Sequence, residues 1–336
     1  MTSQPVLSVA DLAKRFLVRR TFLDGPPLSV RAVDGVSLDI KTGEAFGLVG
    51  ESGCGKTTVG RCVLRLIEPD AGSLRFRGVE MSDAPAAVMK KLRQRIQIVF
   101  QDPYASLNPR RPVGKALIEP LLVHGKCSRA EAWDRVLRVL DEVGMPAEAF
   151  NKFPHEFSGG QRQRIAIARA LMLEPELIVA DEPLSALDVS IQAQILTMLK
   201  RLKEARGLSF LFISHDLGVV RQFCERIAVM YLGRIVEIGP VPEIFDAPCH
   251  PYTQALRAAS PIPDPAMRIG FAKLTGEVPS PSDPPRGCHF HPRCPHAMDV
   301  CRDRSPTPID MGGGRQVACH LFDAGAKTGR SAKQLP

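Results

Sequence analysis

"GESGCGKT" runs from Gly50 to Thr57, and the reading of the whole chain turns on it. It fits the spacing G-x-x-x-x-G-K-[ST]. Upstream, "EAFGLVG" (Glu44–Gly50) is a short apolar run closed by glycine, the pattern of a buried strand. Downstream, "TTVGRCVLRLIE" sets Val59, Cys62, Val63, Leu66 and Ile67 at helical spacing. A glycine-rich turn between strand and helix lets several backbone N–H groups face one phosphate. The helix dipole adds about half a positive charge there. Lys56 can reach the terminal phosphates, and Thr57 can offer its hydroxyl to Mg²⁺. Glu51, Ser52, Gly53, Cys54, Gly55 and Thr58 complete the candidate phosphate cradle.

Working outward, residues 28–78 alternate apolar runs with turn residues and read largely as strands. "RIQIVF" (Arg95–Phe100), "LIVAD" (Leu177–Asp181) and "LSFLFIS" (Leu208–Ser214) are further β-type runs. Residues 115–145 are a mostly helical block holding Trp133. "QRQRIAIARALML" is helical, with Ile165, Ala168, Ala170 and Leu171 near one face. "SIQAQILTMLKRLKEARG" is an amphipathic helix ended by Gly207. Strands alternating with helices imply an α/β domain with a mainly parallel sheet. After about residue 258 the chain turns proline-rich ("SPIPDPAMR", "GEVPSPSDPPRG"), so extended, irregular structure is expected there. The boundaries drawn are 6–258 for the main domain, 259–322 for an extension and 323–336 for a tail.

Of 336 residues, 44% are hydrophobic, enough for a full core. The net charge of +8 suits phosphorylated ligands, nucleic acid or an anionic membrane surface. No long Lys/Arg run is present, which counts against nucleic acid. No stretch approaches the roughly 18 uninterrupted apolar residues of a membrane span. The N-terminus lacks a signal pattern, so a cytoplasmic location is expected.

Two adjacent carboxylates close "LIVADEP" (Leu177–Pro183). Asp181 at the strand tip can hold Mg²⁺ directly or through water. Glu182 can polarise an attacking water. Gln101 in "VFQDP" ends a strand and can sense metal and γ-phosphate; a surface glutamine in a turn is the plainer alternative. His215 in "LFISHD" can contact the γ-phosphate, although a lone histidine is more often structural. "FPHEFSGGQRQRIAIARA" (Phe153–Ala170) places Ser158, Gly159 and Gly160 at a helix start. Read alone, Ser158 is a helix cap. Read with the phosphate cradle, the tripeptide is a second anion-binding helix start. It can cover the side of the nucleotide that the first cradle leaves open.

Together these motifs resemble the ATP-binding cassette family. "GESGCGKTT" resembles its Walker A, "FQDP" its Q-loop, "FSGGQ" its signature and "LIVADEP" its Walker B. "SALD" (Ser185–Asp188) resembles its D-loop and "SHD" its switch histidine. They stand in family order over residues 50–216, with Phe157 where the signature usually has leucine. The resemblance implies a P-loop NTPase fold: a parallel sheet core, an antiparallel β subdomain and a helical subdomain at about 102–165. It implies a head-to-tail dimer with two ATPs at the interface. There Gln161 and Asp188 join Ser158, Gly159 and Gly160 on the partner's nucleotide. Gln101 joins Thr57 and Asp181 at Mg²⁺. It further implies an adenine-stacking aromatic in the first strands, for which Phe16 is the choice, with Phe22 beside it.

"QDPYASLNPR" (Gln101–Arg110), "HPYTQAL" (His250–Leu256) and "GCHFHPRCPHAMDVC" look like ATPase subunits of bacterial dipeptide and oligopeptide importers. That likeness implies a paralogous ATPase or a second copy, two permeases and an extracytoplasmic binding protein. It places the chain on the cytoplasmic face of the inner membrane. Nickel and other small-solute importers share the pattern. A non-transport cassette ATPase usually carries coiled-coil insertions or a second cassette, and neither is visible. A non-catalytic regulatory binder sits poorly with intact Glu182 and His215.

Cys288, Cys294, Cys301 and Cys319 cluster near the end with spacings x5, x6 and x17. That is not a zinc-knuckle spacing. Four thiolates on such a loop can bind an iron–sulfur cluster, and Arg286 and Arg293 nearby are expected to favour thiolates. Reduced structural thiols and zinc are the alternatives. The importer likeness implies a [4Fe–4S] site in this segment of some members. His289, His291, His296 and His320 are bystanders or substitute ligands.

Overall fold

In chain order the computed structural model forms β1 (Leu7–Val18), β2 (Leu28–Ile40), β3 (Ala45–Val49), α1 (Lys56–Val63), β4 (Ala71–Phe76) and β5 (Val79–Glu80). There follow α2 (Ala86–Arg95), β6 (Ile96–Val99), α3 (Val113–Val123), α4 (Arg129–Glu142), α5 (Gly159–Leu171) and β7 (Leu177–Asp181). Next come α6 (Val189–Arg206), β8 (Ser209–Ser214), α7 (Leu217–Phe223), β9 (Arg226–Tyr231), β10 (Arg234–Pro240) and α8 (Val241–Asp246). The chain closes with α9 (Pro251–Ala259), α10 (Val300–Asp303), β11 (Ile309–Gly312) and β12 (Arg315–Val317). The structure describes residues 4–18, 28–102, 107–125, 128–259 and 276–323. Phe22, Cys127, the "SPIPDPAMR" stretch, parts of "QDPYASLNPR" and the tail beyond 323 lie outside the described residues.

Two units divide the chain. One comprises residues 1–7, 40–45 and 75–213; the other comprises 8–39, 46–74 and 214–336. In the first, β6, β7 and β8 pair in parallel, with Ile98 opposite Val179 and Val179 opposite Leu211. Every residue of β7 and β8 is buried. A parallel ladder covered on both faces explains why these runs are apolar without alternation. The helical block follows; α3 starts after Pro112 with no side-chain cap, whereas α4 and α6 start on one. Ser128 and Glu131 make a capping box at α4, and Asp188 accepts from the Ile191 N–H at α6. Gly207, at φ 62°, stops α6 in the left-handed region that glycine tolerates best.

In the second unit β3 runs parallel to β9, which pairs antiparallel with β10. The extension is more regular than its prolines suggest. β11 and β12 form a hairpin, and β12 adds antiparallel to β10, with Glu237 opposite Val317. Gly312, Gly313 and Gly314 all have positive φ at the turn, so the "MGGGR" triplet was the available signal. α1 ends at Val63, earlier than the apolar spacing implies. Arg65 turns left-handed (φ 48°) and Leu66 is half exposed, so the helical spacing of Leu66 and Ile67 is not used by a helix.

Glu237, with no exposed surface, ties the hairpin to the turn before α9. It accepts from the N–H groups of Cys249 (2.9 Å) and His250 (3.0 Å) and from Arg315 Nε (3.1 Å). His250 is buried as well, and its Nδ1 accepts the Tyr252 N–H at 3.0 Å. Burial pushes its pKa down to about 3. The unfolded chain then takes up this proton near pH 6.5 and the folded chain does not. Stability is whole above about 6.5 and falls as pH drops toward about 3. Between about pH 7.5 and 5 this one residue is expected to remove about 2 kcal/mol. Urea midpoints of wild type and His250→Gln check this. The wild type should lose more than the variant, and parallel profiles would contradict the assignment.

Candidate nucleotide site

The phosphate cradle lies wholly within the second unit, between β3 and α1. Gly55 caps α1 at φ 107°, and no side chain fills the helix start. A Cβ at Gly55 would stand 2.0 Å from the Ala32 carbonyl oxygen, so no side chain can replace the glycine without displacing backbone. Lys56 is buried and its Nζ donates to the carbonyls of Gly50 (2.7 Å) and Glu51 (2.9 Å). The ammonium is thus held over the mouth of the loop. Ser52 and Gly53 are exposed at its rim, and Thr57 and Thr58 are half-buried at the helix start. Cys54 is buried, which pushes its thiol pKa up and leaves it a packing residue.

Glu51 behaves differently from its neighbours. Its N–H donates to Tyr252 Oη at 2.9 Å, and its carboxylate pairs with Arg293 at 2.8 and 3.0 Å. Both groups are committed within the protein. Tyr252 and Arg293 are the residues that sequence reasoning missed at this site; the only signals were "HPYT" and "HPRC". Phe16 on β1 is 37% exposed, with the Lys14 ammonium 5.6 Å from its ring centre. His215 is exposed after β8, and Asp216 beside it caps α7 through the Gly218 N–H at 2.7 Å.

The carboxylates belong to the first unit. Asp181 ends β7 and is buried. Glu182 follows at φ 46°, a left-handed backbone costing of order 1–3 kcal/mol for a residue with a side chain. Its own N–H donates to the Ile213 carbonyl at 3.0 Å, and Ser185 donates twice to its carbonyl. These bonds hold the strained turn. Gln101 Nε2 donates to Glu182 Oε2 at 3.1 Å, so two residues 81 positions apart in sequence meet in space.

Ser158 and Gln161 form a capping box at α5: the Gln161 N–H donates to Ser158 Oγ, and the Ser158 N–H donates to Gln161 Oε1. The glycine at 160 has a packing reason. A Cβ there would stand 2.5 Å from Ile191 Cγ2 on α6, whereas Gly159 has more room. Arg162 donates to the Pro154 carbonyl and Arg164 to the Val143 carbonyl, bracing the helical block. Asp188 caps α6, and its carboxyl pKa is lowered by the Ile191 N–H and the Ser190 hydroxyl.

The four clustered cysteines carry free thiols, and Cys301 and Cys319 are buried. The expectation that Arg286 and Arg293 favour thiolates is overturned. Burial raises the Cys288 thiol, pushes Cys294 up to about 11 and pushes Cys319 up to about 12. Arg293 spends its charge on Glu51, and Arg286 is exposed. Each of these three thiols nonetheless feels the charge of others in the set. Both ring nitrogens of His320 are engaged, with Asp323 and the Arg304 carbonyl. Among the described residues no three His, Cys, Asp or Glu side chains are spaced to hold a metal ion, and no helix is long and apolar enough to cross a membrane.

Residues 33–185 match the family described as ABC transporter, and residues 236–301 match the one described as oligopeptide/dipeptide transporter, C-terminal region. A Brucella ovis protein named as a peptide import ATP-binding protein is 50% identical over 319 residues, covering 95% of this chain and 98% of its own. The dipeptide transport ATP-binding protein DppF of Haemophilus influenzae is 47% identical, covering 95% and 97%. Among solved structures, a dimeric ATP-binding cassette in a post-hydrolysis state, bound to ADP and Pi, superposes with a TM-score of 0.62 at 30% identity. That likeness covers 70% of this chain and 98% of the other. The mixed α/β architecture, the phosphate cradle and these relatives agree. The chain belongs to the ABC transporter ATPases, in the branch that carries the oligopeptide/dipeptide transporter C-terminal region.

Proposed function

We propose that this ATPase powers uptake of dipeptides or oligopeptides through a membrane permease. The match of residues 236–301 to the oligopeptide/dipeptide transporter C-terminal region and the peptide-import relatives support the cargo. Gln101 donating to Glu182 at the tip of a fully buried strand, in a chain that also holds a glycine-built cradle around Lys56, supports the hydrolysis. In this reading Gly50 to Thr58 bind the triphosphate, with Lys56 on its terminal phosphates and Phe16 against the adenine. Thr57, Gln101 and Asp181 hold Mg²⁺. Glu182 takes the proton of the attacking water, and His215 steadies the γ-phosphate. Ser158, Gly159, Gly160, Gln161 and Asp188 close the site of the opposite subunit, a paralogue or a second copy. Two permeases and an extracytoplasmic binding protein complete the assembly, with this chain on the cytoplasmic face of the inner membrane.

Affinity purification from detergent-solubilised membranes tests this. Two integral membrane permeases should copurify, and a peptide-loaded binding protein should stimulate ATPase activity in the reconstituted assembly. Stimulation by a nickel-loaded binding protein, or recovery with DNA or ribosomes instead, would contradict it.

The thiols favour a second, compatible reading. Cys288, Cys294, Cys301 and Cys319 are free thiols that act electrostatically on one another, and in this reading they would be the four ligands of a [4Fe–4S] cluster. Such a cluster supplies a cross-link and a one-electron couple. Protein purified without oxygen should contain stoichiometric iron and absorb broadly in the visible. Colourless, iron-free protein would remove this reading.

A further inference from the structure

We propose that Arg293 and Tyr252 are positioning residues for nucleotide binding, holding Glu51 so that the phosphate cradle accepts a polyanion. The proposal rests on the ATP-binding reading above, and all three residues lie in the second unit.

Glu51 presents a difficulty. It is the second residue of a loop built to surround phosphate, and a carboxylate there repels the ligand. The structure resolves this by turning the carboxylate onto Arg293. Nη1 meets Oε2 at 2.8 Å and Nη2 meets Oε1 at 3.0 Å, a two-pronged pair. The Arg293 side chain is only 4% exposed, so the pair is weakly screened by solvent. Its guanidinium also lies 5.8 Å from the Tyr231 ring centre and donates to Tyr231 Oη.

The backbone of Glu51 is held from the same side. Tyr252 Oη accepts its N–H, and the Tyr252 ring is fully buried against Tyr231 and Phe290, at 4.7 and 5.4 Å between ring centres. The Glu51 carbonyl is one of the two backbone carbonyls that accept from Lys56 Nζ. One loop residue is therefore fixed through carboxylate and amide by the C-terminal segment, and through its carbonyl it sets the position of the lysine. Neither Arg293 nor Tyr252 need touch the nucleotide to act.

A role in binding alone raises KM and spares kcat. In full-length, ATPase-active protein, Arg293→Met is expected to raise KM for MgATP about tenfold to a hundredfold, with kcat within about twofold. Arg293→Lys should recover part of that loss, since it keeps the charge and loses the fork. Adding Glu51→Gln to Arg293→Met removes the uncompensated carboxylate and should bring KM back toward wild type. General damage to the fold would not be repaired in this way. Should Arg293→Met fail to fold, Tyr252→Phe deletes one hydroxyl within intact packing and should raise KM about threefold to tenfold.

Unchanged KM in Arg293→Met or, where that variant does not fold, in Tyr252→Phe overturns the proposal. So does a loss confined to kcat, or a double variant no better than the single. Wild-type protein that binds no MgATP would instead overturn the functional reading on which the proposal stands.

Discussion

Glu182→Gln is expected to slow ATP turnover about 10²- to 10⁴-fold while leaving ATP bound and the dimer trapped. The substitution keeps size and shape but removes the basic carboxylate. The Gln101 amide can still donate to the new carbonyl oxygen, so the turn at φ 46° retains its partner. Binding should persist because the phosphate cradle is built from other residues, chiefly Lys56 and the glycines. Single-turnover hydrolysis measured beside ATP retention and size-exclusion chromatography separates the two effects. Full residual hydrolysis would refute the role given to Glu182.

The second large effect concerns stability. Arg315→Met should cost about 3–5 kcal/mol, because it strands a carboxylate that has no exposed surface. Glu237 would keep the N–H groups of Cys249 and His250 but lose its counter-charge. Arg315 also donates to the Ala247 carbonyl, so its loss loosens the turn before α9. Replacing both members, Glu237→Gln with Arg315→Met, should be milder than the single change, since the amide oxygen can still accept the Cys249 and His250 N–H groups and no unpaired charge remains. Urea unfolding gives both values. A single variant within about 1 kcal/mol of wild type would show that the pair matters little.

Much of this was legible in the sequence because it is local. A strand, a glycine turn and a helix occupy 19 consecutive residues from β3 to α1, and their spacing alone names the phosphate cradle. The buried strands β7 and β8 were visible as apolar runs, and Gly207 as a stop. What was hidden depends on residues far apart. Tyr252 and Arg293 lie 201 and 242 positions from Glu51, and no periodicity connects them. Arg293 next to Cys294 invites a role in thiol chemistry, which the carboxylate at Glu51 pre-empts. Gly160 has a second reason to be glycine that the sequence hides, because a Cβ there would stand 2.5 Å from Ile191 on another helix. The β11–β12 hairpin was masked by surrounding prolines, although three successive glycines marked its turn.

In the proposed reading one chain supplies only half of each reaction chamber. ATPase rate per chain is to be measured against concentration, with association followed in the same samples, for this chain alone and mixed with a paralogous ATPase. The per-chain rate should climb with the dimer fraction and vanish on dilution. A strictly monomeric sample splitting ATP at an undiminished per-chain rate would contradict it.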